Sequence, residues 1–236
     1  MTVGIVGMGY VGSALARILS RHAVLGYDEA DAHRTGTDAR ELINRCDIAF
    51  VCVPTPAGAD GCCDTSAVEE VLSWLRVPLI VIRSTMPADY EAPAHVVYQP
   101  EFIGESPFAP FKDEGSAGLV LVGGDPREAQ KVLDFWKPVL GPRCRYLKCS
   151  WETAAQVKYV ANCYQAVKTA LWQEMLEACA EPDFVRDACL TIPTIEAYGT
   201  LPLGGVGGKC FPKDLAAFAR EVDGPILKAA LHYMKA

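Results

Sequence analysis

Short apolar runs alternate with segments of helical spacing through the first part of the chain, and the rhythm becomes purely helical further on. Thr2–Val6 is a short apolar run, and Leu15, Ile18 and Leu19 follow on one face of a helical pattern. Ala23–Tyr27 is a second run, ending at Asp28. Residues 48–53 read as a buried strand leading into Pro54-Thr55-Pro56, and Ser66 with Glu69 reads as a capping box opening a helix through Trp74 and Leu75. Residues 79–82, ending in Arg83-Ser84-Thr85, and residues 95–98 and 118–122 supply three further strands, with a helix over 125–136. Such alternation predicts an α/β fold, a Rossmann-type, mostly parallel, doubly wound sheet with right-handed crossovers. Ligands of such sheets bind at the carboxyl ends of the strands, which places Gly9, Asp28, Pro54, Thr55, Thr85 and Pro100-Glu101-Phe102 around one cleft.

Near Cys149-Ser150 the pattern turns helical. Ser150 is placed to cap a helix of about eight turns that Pro182 would stop, an expected span of 150–181. Lys158 and Asn162 are four residues apart on it and share a face, whereas Glu174, sixteen positions after Lys158, reads more simply as part of a solvated stripe. A second helix is expected over 212–222, with Pro212 in its first turn, where a missing N–H leaves no partner unsatisfied. The expected organisation is a dinucleotide-binding domain over 1–149 and an all-helical domain over 150–236. The long helix is apolar on much of its surface with little chain left to cover it, which predicts a homodimer.

The first strand ends in Gly7-Met8-Gly9-Tyr10-Val11-Gly12. The first glycine permits a tight turn, the second lets backbone approach a pyrophosphate, and the third lets helix pack on strand. The pyrophosphate would sit on free N–H groups at the helix start. Asp28, 21 positions after Gly7, is placed to accept from both ribose hydroxyls and would repel a 2′-phosphate, so NAD is favoured over NADP. The plainer alternative is a glycine-rich turn with an incidental surface carboxylate.

Composition narrows the classes. The 236 residues suffice for a sizeable core, and the net charge of −7 argues against a general nucleic-acid role. No apolar run is long enough to span a bilayer, and the N-terminus reads as a first strand, not a signal peptide, so a cytoplasmic, reducing setting is expected. Ten cysteines without a Cys-x-x-Cys pair, and four scattered histidines, give no metal-site pattern; most of the thiols are expected to be small core residues. Cys210 differs, because it falls just ahead of the predicted 212–222 helix. The helix dipole and nearby Lys213 would favour its thiolate, while Asp214 opposes this and has room to hold a water. Local chemistry alone leaves Cys210 open between a nucleophile and a helix-start cysteine.

Seven segments follow one another along the chain: GMGYVG at the start, VPTP after the third strand, STMP, PEFIGES, KYVAN, Gln173-Glu174 and GGKCFPKD. In this order they resemble the motifs of the UDP-glucose/GDP-mannose dehydrogenase family, the NAD-dependent four-electron oxidoreductases, which have STVP in place of STMP and Asn-Glu in place of Gln173-Glu174. The resemblance implies that a sugar primary alcohol becomes an aldehyde, which Cys210 traps as a thiohemiacetal. A second oxidation then gives a thioester that water hydrolyses. It also implies an oxyanion held by Lys158 and Asn162, a water held by Asp214 with Thr85, and Glu105 as base in the thioester step. Lys213 would reach the cofactor phosphates, alongside Gly7, Gly9, Tyr10, Val11, Gly12, Asp28, Pro54, Thr55 and Thr85. Glu101, Phe102 and Gly207 would line the sugar-nucleotide substrate.

Departures from the pattern bear on that substrate. The family normally continues into a third, nucleotide-gripping domain, while this sequence ends at Ala236; Ala155 stands where the family usually has Glu, Leu203 where a glycine is expected, and the loop over 57–63 is short. Two other readings stay open. One is a two-electron β-hydroxyacid or 6-phosphogluconate-type dehydrogenase, which needs no thiol. The other is a non-catalytic NAD-binding protein.

Overall fold

The computed structural model describes residues 1–30, 39–58, 62–104, 112–195 and 210–234. They form two compact units, Met1–Thr55 with Asp64–Lys158, and Pro56–Cys63 with Tyr159–Ala236.

The first unit is a seven-stranded sheet of β1 (Thr2–Val6), β2 (Ala23–Tyr27), β3 (Ile48–Val51), β4 (Ile80–Ile82), β5 (Val96–Tyr98), β6 (Leu119–Gly123) and β7 (Arg145–Cys149), in the order β2-β1-β3-β4-β5-β6-β7. Neighbours pair in parallel except β5 with β6, which meet antiparallel at Tyr98 and Gly123. β3, β4 and β5 are buried at every position, as central strands covered on both faces must be. The pleat sends alternate residues to two cores. One holds Ile5, Phe50, Val81 and Val122 with Leu15 of α1 (Tyr10–Ile18). The other holds Val51, Ile82 and Tyr98 and packs Ile43 of α2 (Ala39–Ile43) and Val68 and Val71 of α3 (Ser66–Trp74). Between β5 and β6 lies the short α4 (Glu114–Ala117), and α5 (Pro126–Leu140) brings Trp136 into the first core. Trp136 Nε1 donates to Gln99 Oε1 at 2.9 Å, both groups fully buried, so the one polar edge of that large side chain is satisfied.

The long helix α6 (Trp151–Glu177) begins in this unit. Ser150 Oγ accepts from Thr153 N at 3.1 Å, the cap that the sequence places there. Trp151 stacks on Tyr90, donates to Pro87 O at 3.1 Å and lies 5.1 Å from the Tyr98 ring, which fixes the helix start against the sheet. Ala154 and Ala155 are fully buried there. A glutamate at Ala155, the residue usual in the family, would bury its charge among Val6, Val51 and Tyr98.

The second unit contains the rest of α6, α7 (Pro182–Cys189), α8 (Phe211–Glu221), α9 (Pro225–Ala230) and a 3-10 turn over Leu231–Tyr233. Its core is built on Cys163, Ala166 and Ala170 of α6 against Leu215 and Ala230, with Phe211, Phe218 and Leu227 at the margin. Small residues three and four apart on α6 let the other helices approach closely. Tyr159 stacks on Phe218 with ring centroids 5.7 Å apart.

The structure corrects several local expectations. The Ser66–Glu69 capping box is absent: Thr65 is the N-cap, Thr65 Oγ1 donates to Glu69 Oε1 at 2.7 Å, and Asp64 Oδ1 accepts from Ser66 N at 2.9 Å. A carboxylate two residues upstream takes the orphan N–H, so the serine hydroxyl is not needed. The long helix ends at Glu177, and Pro182 opens α7 as its first residue instead of only stopping α6. Strand β7 was not anticipated, because its exposed Arg145 and Lys148 break any apolar run at the sheet edge.

Candidate cofactor and active site

The glycine turn follows β1 directly. Gly7 has φ 91°, and a Cβ there would lie 2.6 Å from Cys52 O; a Cβ on Gly12 would lie 2.0 Å from Gly7 O. No other residue fits either place. Gly9, by contrast, faces open space, with nothing within 4 Å of where its Cβ would be, and it is the N-cap residue of α1. The missing side chain therefore leaves room over the unsatisfied N–H groups of Tyr10, Val11 and Gly12. Asp28, at the end of β2, accepts from Met8 N at 2.7 Å through Oδ2 and from Ala30 N at 3.0 Å through Oδ1. Each oxygen keeps a lone pair for a ribose hydroxyl. The residues present thus fit a dinucleotide, through its pyrophosphate at Gly9 and its ribose at Asp28.

The same edge of the sheet carries the ends of β3 and β4. Ser84 Oγ donates to Val53 O at 2.6 Å, which ties the Val53-Pro54-Thr55 turn to the segment bearing Thr85. Tyr10 Oη donates to Gly104 O at 2.6 Å and so joins the start of α1 to the Glu101-Phe102 segment. Lys158 projects into this unit from α6 and is only 3 % exposed. Its Nζ donates to Glu101 O at 2.7 Å and to Glu101 Oε1 at 2.6 Å, with the Phe102 ring centroid 5.8 Å away. An ammonium has three N–H bonds, so one is left after the two to Glu101. Glu101 Oε2 accepts from Ile103 N at 2.9 Å, which holds the carboxylate in place.

A buried ion pair in this unit, Arg83 with Glu114, escapes sequence reasoning. Arg83, 1 % exposed, donates through Nη2 to the buried Glu114. Burial pushes the Glu114 carboxyl above its ordinary value, and Arg83 only partly offsets that. The lone hint was an arginine immediately after an apolar strand. Nothing in the sequence marks Glu114 as its partner. Cys52 is also held there, its thiol pushed up to about 12 by burial.

In the helical unit Cys210 is the exposed N-cap residue of α8, with Phe211-Pro212 opening the helix. Asp214, 1 % exposed, lies one turn on. Its Oδ2 accepts from Asn162 Nδ2 at 2.5 Å. Its Oδ1 lies 2.8 Å from Lys213 Nζ, so that buried oxygen is paired with the ammonium. Burial pushes the Lys213 ammonium down, but Asp214, with Cys63 and Cys210, outweighs it and holds the group above its ordinary value. Cys163 donates to Asp214 O at 3.6 Å, and its thiol is pushed up to about 12 by burial and by Asp214. Cys163 is therefore an inert core thiol, in a different setting from exposed Cys210. Glu174 is exposed on α6 beside Tyr233, in keeping with a solvated stripe.

Glu105 and Gly207 lie outside the described residues. Of the other anticipated positions, Gly7, Gly9, Tyr10, Val11, Gly12, Asp28, Pro54, Thr55, Thr85, Glu101, Phe102 and Lys158 fall in the sheet unit, and Asn162, Cys210, Lys213 and Asp214 in the helical unit. Among the described residues no group of three or more His, Cys, Asp or Glu could hold a metal ion, and no helix is long and apolar enough to cross a membrane.

A mostly parallel sheet with a glycine turn, a helix-start anion cradle and an acid at the second strand defines an α/β dinucleotide-binding protein of the Rossmann type. Residues 24–137 match the NAD binding domain of the UDP-glucose/GDP-mannose dehydrogenase family, and residues 152–233 match that family's central domain. The chain belongs to this family, and NAD is its cofactor. A UDP-glucose 6-dehydrogenase of Pseudomonas aeruginosa is 28% identical over 225 residues, covering 83% of this chain and 49% of the relative. A UDP-glucose dehydrogenase structure from Pyrobaculum islandicum superposes with a TM-score of 0.78 at 26% identity, over 98% of this chain and 67% of that one. A UDP-D-ManNAc dehydrogenase structure from Pyrococcus horikoshii, 19% identical, shares the fold with a TM-score of 0.78, over 99% of this chain and 68% of that one. The chain spans about half the length of the curated relatives it matches.

Proposed function

We propose that the chain is the catalytic part of an NAD-dependent nucleotide-sugar dehydrogenase that converts a sugar primary alcohol to a carboxylate with Cys210 as covalent nucleophile. The observation that carries this reading is the setting of Asp214. It is buried one turn from an exposed N-cap thiol, with one oxygen anchored by Asn162 and the other paired with the Lys213 ammonium. A carboxylate so placed can accept from a water and aim it, which the last step of thioester chemistry needs.

The roles follow from what each side chain has left to offer. NAD, held by the Gly9 turn and Asp28, supplies a hydride acceptor for each of the two oxidations. Cys210 Sγ adds to the aldehyde carbon, and the carbonyl oxygen becomes an alkoxide. Asn162 keeps one N–H after its bond to Asp214, and Lys158 keeps one after its two to Glu101, so each can donate to a developing oxyanion. Asp214 with Thr85 would hold the hydrolytic water, Glu105 would take its proton, and Lys213 would face cofactor phosphate. Glu101, Phe102 and Gly207 would bound the sugar. Of the alternatives, a two-electron hydroxyacid enzyme has no use for Cys210, and a binding protein none for an oriented Asp214.

A homodimer through α6 is part of the proposal. Val157, Val160, Tyr164, Leu171 and Met175 recur at spacings of three, four, seven and four residues along this helix and are all exposed, a stripe suited to a two-fold partner. Sedimentation of the chain and of Val160→Glu tests it: a dimer that the charge dissociates is expected.

The test of the activity is NADH stoichiometry with UDP-glucose, UDP-N-acetylmannosamine and GDP-mannose. Two NADH per sugar, lost in Cys210→Ala, is expected. One NADH per turnover that survives Cys210→Ala would assign the two-electron reaction, and NAD binding without turnover on any sugar would assign a binding protein.

A further inference from the structure

Two adjacent thiols outside the proposed chemistry sit against the helix that carries Cys210. Residues Pro56–Cys63 belong to the helical unit. Ala57 and Cys63 pair as an isolated antiparallel bridge, and Gly58 N donates to Cys62 O at 2.7 Å, which fixes the backbone of Cys62-Cys63. Lys213 Nζ lies 3.5 Å from Cys63 Sγ, and Arg220 Nη1 lies 3.9 Å from Cys62 Sγ. Lys213 and Arg220 are seven residues apart on α8, about two turns, so both cations lie along one face of the helix. Cys62 is exposed and Cys63 half-exposed, and neither is in a disulfide. The Lys213 side chain is only 11 % exposed, and its ammonium is shared between Asp214 Oδ1 at 2.8 Å and Cys63, so little water lies between it and the thiol. None of the other cysteines outside the Cys210 helix start has cations aligned beside it in this way among the contacts of the described residues; buried Cys163 and half-buried Cys52 are held protonated.

We propose that Cys62-Cys63 is a thiol-modification site for anionic low-molecular-weight disulfides of the glutathione type, with Cys63 as the nucleophile. Cys63 gives up its proton to solvent and its sulfur attacks one sulfur of the disulfide. A new S–S bond forms, the reagent's own S–S bond breaks, and the second half leaves as a thiolate with the bonding pair. The disulfide is thereby the oxidant, and no other is needed. The Lys213 ammonium stabilises charge building on Cys63 Sγ, and Arg220 attracts the reagent's carboxylates.

The test is made on the full chain carrying Cys210→Ala, so that the proposed nucleophile does not compete. It is exposed in turn to oxidised glutathione and to uncharged 2-hydroxyethyl disulfide, and adducts are located by peptide mass spectrometry. Cys63 is expected to take the anionic reagent roughly tenfold faster than the half-exposed Cys179 and Cys189. That preference over the uncharged reagent should fall in Arg220→Gln, a change at an exposed position whose fold is checked by circular dichroism. Reaction at Cys63 no faster than at Cys179, equal rates with the two reagents, or an anionic preference unmoved by Arg220→Gln would each overturn the proposal. The readout is a mass, so its failure is separate from any failure of turnover.

Discussion

Asn162 Nδ2 donates to Asp214 Oδ2 at 2.5 Å, a bond between side chains 52 residues apart in sequence. It joins the long helix α6 to the first turn of α8 and sets the direction of a buried carboxylate. Replacing Asn162 with alanine leaves that oxygen short of its donor. The cost is expected to be about 1–3 kcal/mol, read as a lower urea midpoint at unchanged slope. Asn162→Asp should be worse at neutral pH and recover on acidification, because two facing carboxylates repel until one is protonated. Wild-type stability of Asn162→Asp at pH 7 would mean the pair is not formed.

The Lys158–Glu101 pair is buried on both sides, with side chains 3% and 10% exposed. Removing one partner strands the other charge, so Glu101→Ala or Lys158→Met is expected to cost about 3–5 kcal/mol. The double replacement should recover part of this in a denaturation cycle. Additive losses would show that the two side chains act independently.

The glycines separate folding from binding. At Gly9 a methyl meets open space, so Gly9→Ala should keep its melting temperature while NAD binding weakens by roughly tenfold or more, the effect of losing about 1.4 kcal/mol of backbone approach. At Gly12 a methyl meets the Gly7 carbonyl at 2.0 Å, so Gly12→Ala should lose stability as well. Titration calorimetry beside thermal melting distinguishes them.

Lys213 gives a pH dependence of definite sign. Its folded-state value is held above the ordinary 10.5, chiefly by Asp214 working against burial. A basic group raised in the folded state contributes stability that is complete below its unfolded value and is lost as pH rises through the folded value. The contribution should therefore be constant through neutral pH and decline only on the alkaline side of 10.5. Lys213→Met should flatten that alkaline limb in urea titrations taken at successive pH values. A loss confined to acid pH would contradict this.

Thiol labelling supplies a last check. Burial pushes both Cys52 and Cys163 up to about 12, so iodoacetamide at pH 8 should leave them unmodified in the folded chain while it labels Cys210. Rapid alkylation of Cys163 would show that the α6–α8 packing opens readily.

Much of the sheet was legible because its central strands are apolar at every position and its turns carry glycine and proline. Residues 48–53 and 79–82 announce β3 and β4 to within two residues at either end. What was not legible had a weak local signal. β7 is a polar edge strand that owes its conformation to pairing with β6, and α4 is a four-residue helix fixed by the Asp113 cap. Asp64 displaced the expected serine cap, since a carboxylate competes well for helix-start N–H groups. The cofactor half of the site was readable for the same reason as the strands: the chemistry of Gly7, Gly9, Gly12 and Asp28 is local backbone chemistry.

The sequence by itself determined the alternating α/β architecture, the dinucleotide turn and the singular place of Cys210 ahead of a helix. Each follows from period, glycine spacing or a helix start, all properties of neighbouring residues. Only the tertiary structure decided that Lys158 binds Glu101, that Asn162 holds Asp214, that Arg83 is neutralised by Glu114 and that Cys63 faces Lys213. These partners are 31 to 150 residues apart, and a buried charge is satisfied by whatever the fold brings within reach.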